Sequence, residues 1–155
     1  MTAGKRSPDG LFREHISLAE RVRRVNAICL LLGKQKVILV SIHVNATGND
    51  TKWLTATGWS AYTCKVQTQS DKLAECLYQA AIKNFPGRRI RTDYSDNDPD
   101  WEENFYILRK SHCVAVLSEN FFMDNKSDLE YLLSRAGKQA VIDTYVEDII
   151  EYLSV

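Results

Sequence analysis

The sequence predicts an α/β fold, a mixed and mostly parallel sheet flanked by helices. Helical and extended patterns follow one another in the order helix, strand, strand, helix, strand, helix. Two predicted strands, at 36–43 and 113–119, are almost continuously apolar, which is typical of strands covered on both faces. A chain of 155 residues has the length of one domain with one core. We therefore expect residues 1–155 to form a single layered domain.

The first half of the chain contains one helix and two strands behind a polar start. Residues 1–16 are polar and rich in turn formers, so we expect a loop there. A capping box followed by apolar residues at helical spacing predicts a helix over 17–32. The strand at 36–43 comes next, and β-forming residues among small ones predict another at 57–64.

The second half is mostly helical around a third strand. Its predicted elements are a helix over 70–84, an acidic loop over 92–104, a short helix near 102–110, the strand over 113–119, and helices over 127–133 and 136–153. Apolar residues of the last helix fall on one face, made by Ile142, Val146, Ile149, Ile150 and Leu153.

Composition excludes several classes of function. The 20 basic and 20 acidic residues cancel, so we expect no nucleic-acid partner. No apolar run reaches the length of a membrane span, and the first fifteen residues hold no apolar block of signal-peptide length. The four cysteines are scattered without a CxxC pair, which predicts reduced thiols rather than a disulfide framework or a zinc knot.

Two apolar strands end in side chains that can carry chemistry. The first delivers His43 and the third delivers Glu119, and each is followed by an asparagine, Asn45 and Asn120. In open α/β sheets ligands bind outside the carboxyl ends of the strands, so parallel neighbours would bring both side chains into one crevice. The alternative is a core histidine with satisfied hydrogen bonds and a carboxylate that caps a loop or helix.

Three motifs then resemble a known family. They are "SLAERVRRVNA" at 17–27, "SIHVNA" at 41–46 and "AVLSENFFMDNKSDLEYL" at 115–132, with a looser fourth, "GKRSPDGLFRE", at 4–14. In this order they resemble the zinc-dependent N-acetylmuramoyl-L-alanine amidases of peptidoglycan turnover. The resemblance covers nearly all of the chain from residue 16 onward.

The resemblance implies a single-zinc amide hydrolase acting on peptidoglycan or muropeptides. Carried over by motif, Glu14 and His43 would be zinc ligands and Glu119 the general base that acts on the metal-bound water. The bond cut would join the lactyl group of N-acetylmuramic acid to L-alanine. Asn45 and Trp101 are expected to contact the substrate, Trp101 as a stacking surface on the acidic loop.

The sequence departs from the family at two places. Similar proteins open with a strand and a "GHGG"-like turn that supplies a zinc histidine, and no such segment precedes Thr2. In addition, "FREH" runs directly into "ISLAER" here, whereas the family carries a further helix and strand between these two motifs. We therefore expect a truncated amidase-like fold. His15 could replace the histidine only from an irregular loop, because neighbours in an extended segment point apart. His112 is expected at the opposite end of its strand from Glu119.

These observations leave two functions open: a zinc-dependent amidase, or a catalytically impaired relative that binds peptidoglycan or a protein partner. A poorly folded product with lost strands is a third possibility.

The "DNDPD" stretch at 96–100 resembles a calcium loop, but Trp101 and Ile107 occupy the positions where an EF-hand has Gly and Glu. The sequence therefore excludes an EF-hand. We expect a monomer; the family acts in the cell envelope, and the sequence carries no export signal of its own.

Overall fold

The computed structural model describes residues 16–48, 52–65 and 68–154, which form a four-stranded sheet with helices on both faces. The strands are β1 (Ile38–Asn45), β2 (Ser60–Thr63), β3 (Trp101–Glu102) and β4 (Val114–Phe122), in the spatial order β1-β4-β2-β3. The pairs β1–β4 and β2–β3 are parallel, whereas β2 and β4 are antiparallel. The predicted mixed, mostly parallel α/β sheet is confirmed.

Five helices accompany the sheet: α1 (Leu18–Leu32), α2 (Gln69–Asn84), α3 (Tyr106–Lys110), α4 (Lys126–Leu133) and α5 (Arg135–Ser154). The Ser17 side chain caps α1 by accepting a hydrogen bond from the Glu20 N–H at 3.2 Å. Helix α2 begins at Gln69 rather than at Ser70, because Thr68 and Asp71 form a reciprocal capping box in front of it.

The two faces of the sheet carry separate cores. One face packs Val116 of β4 and Ala61 of β2 against α2 and Tyr145 of α5. The other packs Leu117 of β4 against Val22 of α1 and residues of α3. Successive strand residues point to opposite faces, so odd-numbered residues of β1 and β4 as far as His43 and Glu119 lie toward α1 and even-numbered ones toward α5. Beyond the bulge that follows His43 the alternation shifts, and Phe121 packs in the core on the α5 side. This alternation decides the side of the sheet on which each site residue lies.

Several sequence-based boundaries were wrong, including the start of β2, which lies at Ser60 rather than at residue 57. Strands β1 and β4 continue two and three residues beyond the predicted ends, to Asn45 and Phe122. The acidic loop contains a two-residue strand, β3, because Trp101 pairs with Tyr62 at the far edge of the sheet. A short edge strand has no long apolar pattern, so nothing in the sequence announced it.

The apolar face predicted on the last helix is not a packing face. Ile142, Val146 and Ile150 are 54%, 51% and 61% exposed. The buried residues of α5 are instead Gly137, Thr144, Tyr145 and Asp148, which lie on the side that packs against α2 and the sheet. The prediction failed because a different side of α5 makes this contact, with Val141 and Tyr152 packed beside the buried residues, and apolar spacing alone did not select that side.

Two further properties complete the description. All four cysteines are free thiols. Cys29 is buried, as expected for a cysteine inside a helix or strand, whereas Cys64, Cys76 and Cys113 are half-buried and so less enclosed than expected. Among the helices of the described residues, none combines the length and apolar character needed to cross a membrane.

Candidate active site at His43 and Glu119

His43 and Glu119 are register partners on adjacent parallel strands. In-register residues of neighbouring strands point to the same face, so both side chains lie on the face covered by α1. The pair formed by these two side chains is therefore adjacent in the sheet, as the two strand ends predicted. It lies at the carboxyl end of the β1–β4 pair, where open α/β sheets bind ligands.

The surroundings of His43 favour a neutral, oriented imidazole. The ring Nε2 lies 2.8 Å from the Oγ of Ser41, which precedes it by two residues on the same face of β1. Partial burial, and after it the positive charge of Arg21 on α1, lower the pKa of His43. Because a neutral imidazole is the form that binds metals, these neighbours keep His43 competent as a ligand near neutral pH.

Glu119 is a carboxylate held away from water. Burial raises the pKa of its side chain to about 7. Its Oε2 is buried, and no residue of the described ranges hydrogen-bonds to it. A carboxyl group with a free oxygen and a pKa near neutrality suits a general base or acid.

Ser60 completes a polar row across the sheet. It is the antiparallel register partner of Glu119 on β2, so the row reads His43, Glu119, Ser60. The Ser60 hydroxyl is fully buried and donates to the Tyr62 hydroxyl at 3.4 Å. These three polar side chains thus lie side by side across the sheet. The same face is apolar farther along β4.

The two asparagines do not lie in loops after the strands as predicted. Asn120 is inside β4 and 2% exposed. Its Nδ2 donates to the His43 carbonyl at 2.9 Å, and its Oδ1 accepts from the Tyr145 hydroxyl at 2.8 Å, so it ties β1 to α5. Asn45 ends β1 beyond a bulge, and its Oδ1 accepts from the Ala46 N–H at 2.8 Å.

Trp101 lies far from the His43–Glu119 pair. It is on β3, and β4 and β2 separate it from β1, which corresponds to about 14 Å across the sheet. Its ring is half-buried against the core that contains Tyr62 and Leu117, and the Arg91 guanidinium lies 5.5 Å from the ring centre. The structure therefore does not bring Trp101 together with the pair.

The other sequence-based candidates are separated from the pair or not described. Glu14 and His15 lie outside the described residues. His112 is exposed just before β4, at the opposite end of the strand from Glu119, as predicted. Its backbone N–H donates to Asn26 of α1 at 2.9 Å.

The residues near His43 fit a zinc site in part. A neutral histidine beside a carboxylate with an unpartnered oxygen has the right chemistry for one ligand and the adjacent base. Within the described ranges, the only group of three or more acidic, histidine or cysteine ligands is Asp71, Asp98 and Asp100, which does not include His43. Any further ligand beside His43 must therefore come from outside those ranges.

A groove of about 460 Å³ also borders β1, but on the α5 side of the sheet. Ile42, Val44, Val141 and Ile142 give it a mainly apolar lining. Glu119 does not line it, because the Glu119 side chain points to the other face. His43, at the end of the polar row, also lines the groove, so the two features adjoin at this residue.

Sequence reasoning missed three neighbours of the pair: Ser41, Ser60 and Arg21. Ser41 could have been found, because a residue two positions before His43 on a strand shares its face. Ser60 depends on the antiparallel pairing of β2 with β4, and Arg21 on how α1 crosses the sheet. Neither relationship leaves a local pattern in the sequence.

Comparison with known proteins identifies the family of the chain. The sequence profile described as N-acetylmuramoyl-L-alanine amidase matches residues 4–151. A search of curated proteins gave no significant match. Similar solved structures include an N-acetylmuramoyl-L-alanine amidase from Clostridium difficile 630, which is 26% identical with a TM-score of 0.73 over 90% of this chain and 66% of that one.

Two further structures show the same fold at lower identity. The amidase AmiC2 of Nostoc punctiforme and the catalytic domain of CwlV from Bacillus (Paenibacillus) polymyxa var. colistinus are each 23% identical, with TM-scores of 0.70 and 0.69, over 94% of this chain and 69% of theirs. This chain thus spans about two thirds of the length of these relatives. Since the family profile covers nearly the whole sequence, the chain belongs to the N-acetylmuramoyl-L-alanine amidase family.

Proposed function

We propose that the chain hydrolyses the amide bond between the lactyl group of N-acetylmuramic acid and the L-alanine of peptidoglycan or a muropeptide. The single observation that carries the proposal is the register pairing of His43 with Glu119 on one face of the sheet. Membership of an amidase family supplies the reaction class. The activity rests on these two supports together, because fold alone does not imply function.

Glu119 is proposed to move the proton in this reaction. Its carboxylate would take a proton from the attacking water and pass it to the amine of the departing L-alanine. Its buried, unpartnered Oε2 supports this role, since no protein donor in the described residues competes for that oxygen. Ser60, its register partner on β2, is fully buried, so β2 covers one side of the half-buried carboxyl group.

His43 and Glu14 are proposed to hold a zinc ion. When bound, zinc would polarise the scissile carbonyl and lower the pKa of a coordinated water. Ser41 would fix the imidazole by hydrogen-bonding Nε2, leaving Nδ1 for the metal. Arg21 would keep the imidazole neutral in the absence of metal, and so ready to bind.

Substrate contacts are proposed for Asn45 and Trp101. Asn45 follows His43 at the end of β1, next to the proposed reaction centre. Trp101 lies on the same face of the sheet but about three strand spacings away, a distance that a stem peptide or a neighbouring sugar can span. Its role would be a secondary contact rather than alignment of the scissile bond.

The test compares three purified variants on insoluble peptidoglycan with one equivalent of zinc. Glu119→Gln should keep zinc and lose at least about 100-fold in rate, because a general base contributes about 100- to 10,000-fold. His43→Ala should lose zinc and activity together. Glu147→Gln, an exposed carboxylate on α5, is the matched control and should retain both. A wild-type rate in Glu119→Gln would refute the proposal.

A further inference from the structure

A second group of polar residues lies at the opposite end of β2 from Ser60. It contains Asp71 in the first turn of α2 and Asp98 and Asp100 in the segment before β3. One ligand oxygen of each carboxylate lies within 4.8 Å of those of the other two. We refer to these three residues as the aspartate cluster. It shares no residue with the His43–Glu119 row.

Asp100 is the most enclosed member of the aspartate cluster. It is 1% exposed, and its Oδ2 accepts a hydrogen bond from the Thr63 hydroxyl at 2.7 Å. Its Oδ1 is buried, and no donor in the described residues reaches it. Asp98 likewise has a buried Oδ1 without such a partner. A buried carboxylate oxygen without a donor is costly unless a cation compensates for its charge.

Protein cations do not compensate for the cluster within the described part of the chain. No ion pair there involves Asp71, Asp98 or Asp100. Thr63 can donate only one proton, and the Thr68 N–H already serves Asp71 in the α2 capping box. The Oδ1 atoms of Asp98 and Asp100 are consequently left without a donor among the described residues.

Burial and the neighbouring carboxylates both disfavour the charged forms of the cluster. Burial, followed by the adjacent carboxylates of Asp98 and Asp71, raises the pKa of Asp100 to about 7, against the lowering effect of Thr63. Burial also raises the pKa of Asp71, and Asp98 adds to that rise. Such carboxylates either hold protons or bind a metal ion.

We propose that Asp71, Asp98 and Asp100 bind one calcium ion, with Thr63 at its edge. All donor atoms in the cluster are oxygens, which are the ligands that hard cations prefer. Zinc sites in proteins are instead rich in nitrogen and sulfur ligands. Calcium accepts irregular coordination by carboxylates, backbone carbonyls and water, which a loop and a helix start can provide. The spacing is not that of an EF-hand, so the ligands come from separate elements.

Bound calcium would fasten three parts of the fold to one another. Asp71 belongs to α2, Thr63 ends β2, and Asp98 and Asp100 precede β3. The ion would thereby hold the acidic segment against the sheet edge on which Trp101 lies. This role is structural, and it stands or falls independently of the proposed amidase reaction.

The experiment titrates the full chain, freed of metal on a chelating resin, with calcium chloride by calorimetry and by thermal unfolding. We expect one calcium ion per chain and a rise in Tm of about 5–10 °C when free calcium is 100-fold above Kd. Terbium, a calcium mimic, should show luminescence sensitised by the tryptophan that follows Asp100, Trp101. Magnesium at the same concentration should shift Tm less.

Two substitutions and two controls decide the assignment. Asp98→Asn and Asp100→Asn should each weaken calcium binding at least 10-fold. If the Asp100 variant does not fold, the Asp98 variant alone provides the test, because Asp98 is only half-buried. Asp143→Asn, which removes an exposed carboxylate from α5, and His43→Ala should bind calcium like the unaltered chain. Any one of three results would overturn the proposal. They are no binding up to about 10 mM calcium, stronger binding of magnesium or zinc to the cluster, and unchanged calcium binding in Asp98→Asn.

Discussion

The Oγ of Ser41 and the Nε2 of His43 lie 2.8 Å apart on the same face of β1. Ser41 is 9% exposed, so its hydroxyl has few alternative partners and holds the imidazole in one orientation. Side chains that hydrogen-bond the second nitrogen of a metal-binding histidine fix both its tautomer and its direction. We therefore propose that Ser41 positions His43 for metal binding.

Ser41→Ala should weaken zinc binding by about 10- to 100-fold while leaving the fold intact. The measurement is competitive zinc titration against a chromophoric chelator, with circular dichroism to follow folding. Ser118→Ala is the matched control on the neighbouring strand. It removes a buried hydroxyl that contacts the Tyr145 hydroxyl on the opposite face, so it should lower stability without changing zinc affinity. Equal zinc affinities in the Ser41 variant and the unaltered chain would exclude the positioning role.

Asp148 should make the protein less stable as pH rises. It is fully buried on α5, and burial, followed by the charge of Glu151, raises its pKa to about 7. Cys76 of α2 and Tyr145 of α5 also lie near it, and neither carries a positive charge. Between the ordinary carboxyl pKa and about 7, the folded protein keeps a proton that the unfolded chain has lost, so the free energy of unfolding decreases across that range.

Replacing this group with a neutral isostere should remove the effect. Asp148→Asn is expected to raise the free energy of unfolding at pH 8 by about 2 kcal/mol and to flatten its decrease between about pH 4 and pH 7. Urea unfolding at a series of pH values measures both changes. Asp143→Asn, one turn away and exposed, provides the comparison. An unchanged pH slope in Asp148→Asn would show that another group is responsible.

Gly137 is required by the close approach of α4 and α5. A Cβ at this position would lie 2.0 Å from the Tyr131 carbonyl oxygen, which belongs to the backbone and cannot rotate away. Gly137→Ala should therefore destabilise the fold by about 3 kcal/mol, although alanine favours helices. Denaturant unfolding measures the change. Gly87→Ala tests strain without a clash, since no atom lies within 4 Å of its added Cβ although φ is +75°, and should lose only about 1 kcal/mol.

The sequence predicts the helices, the long strands and the pairing of His43 with Glu119, because each depends on local periodicity and on the two strand ends. It does not predict β3, since two residues at a sheet edge carry no periodic signal. The exposure of Ile142 and Val146 also escaped prediction, because apolar spacing identifies a face but not whether another element covers it.

The residues of the site also divide into those whose placement the sequence predicts and those whose placement it does not. His43 and Ser41 share a strand, so their proximity is implied by alternation. Asn120 was assigned to a loop because the apolar run ends at Ser118, yet β4 continues and its amide bridges β1 and α5. The aspartate cluster combines positions nearly thirty residues apart, which only the paths of β2 and α2 bring together.

Hydrolysis of a defined muropeptide in ¹⁸O-enriched water, followed by mass spectrometry, tests the central claim most directly. The zinc-supplied chain should cut only the amide between the lactyl group and L-alanine, placing one ¹⁸O in the lactyl carboxyl group and none in the released peptide. Glu119→Gln should give no product above background while remaining folded. An uncut substrate with the unaltered chain, or cleavage at another bond, would contradict the assignment of His43 and Glu119 as an amidase centre.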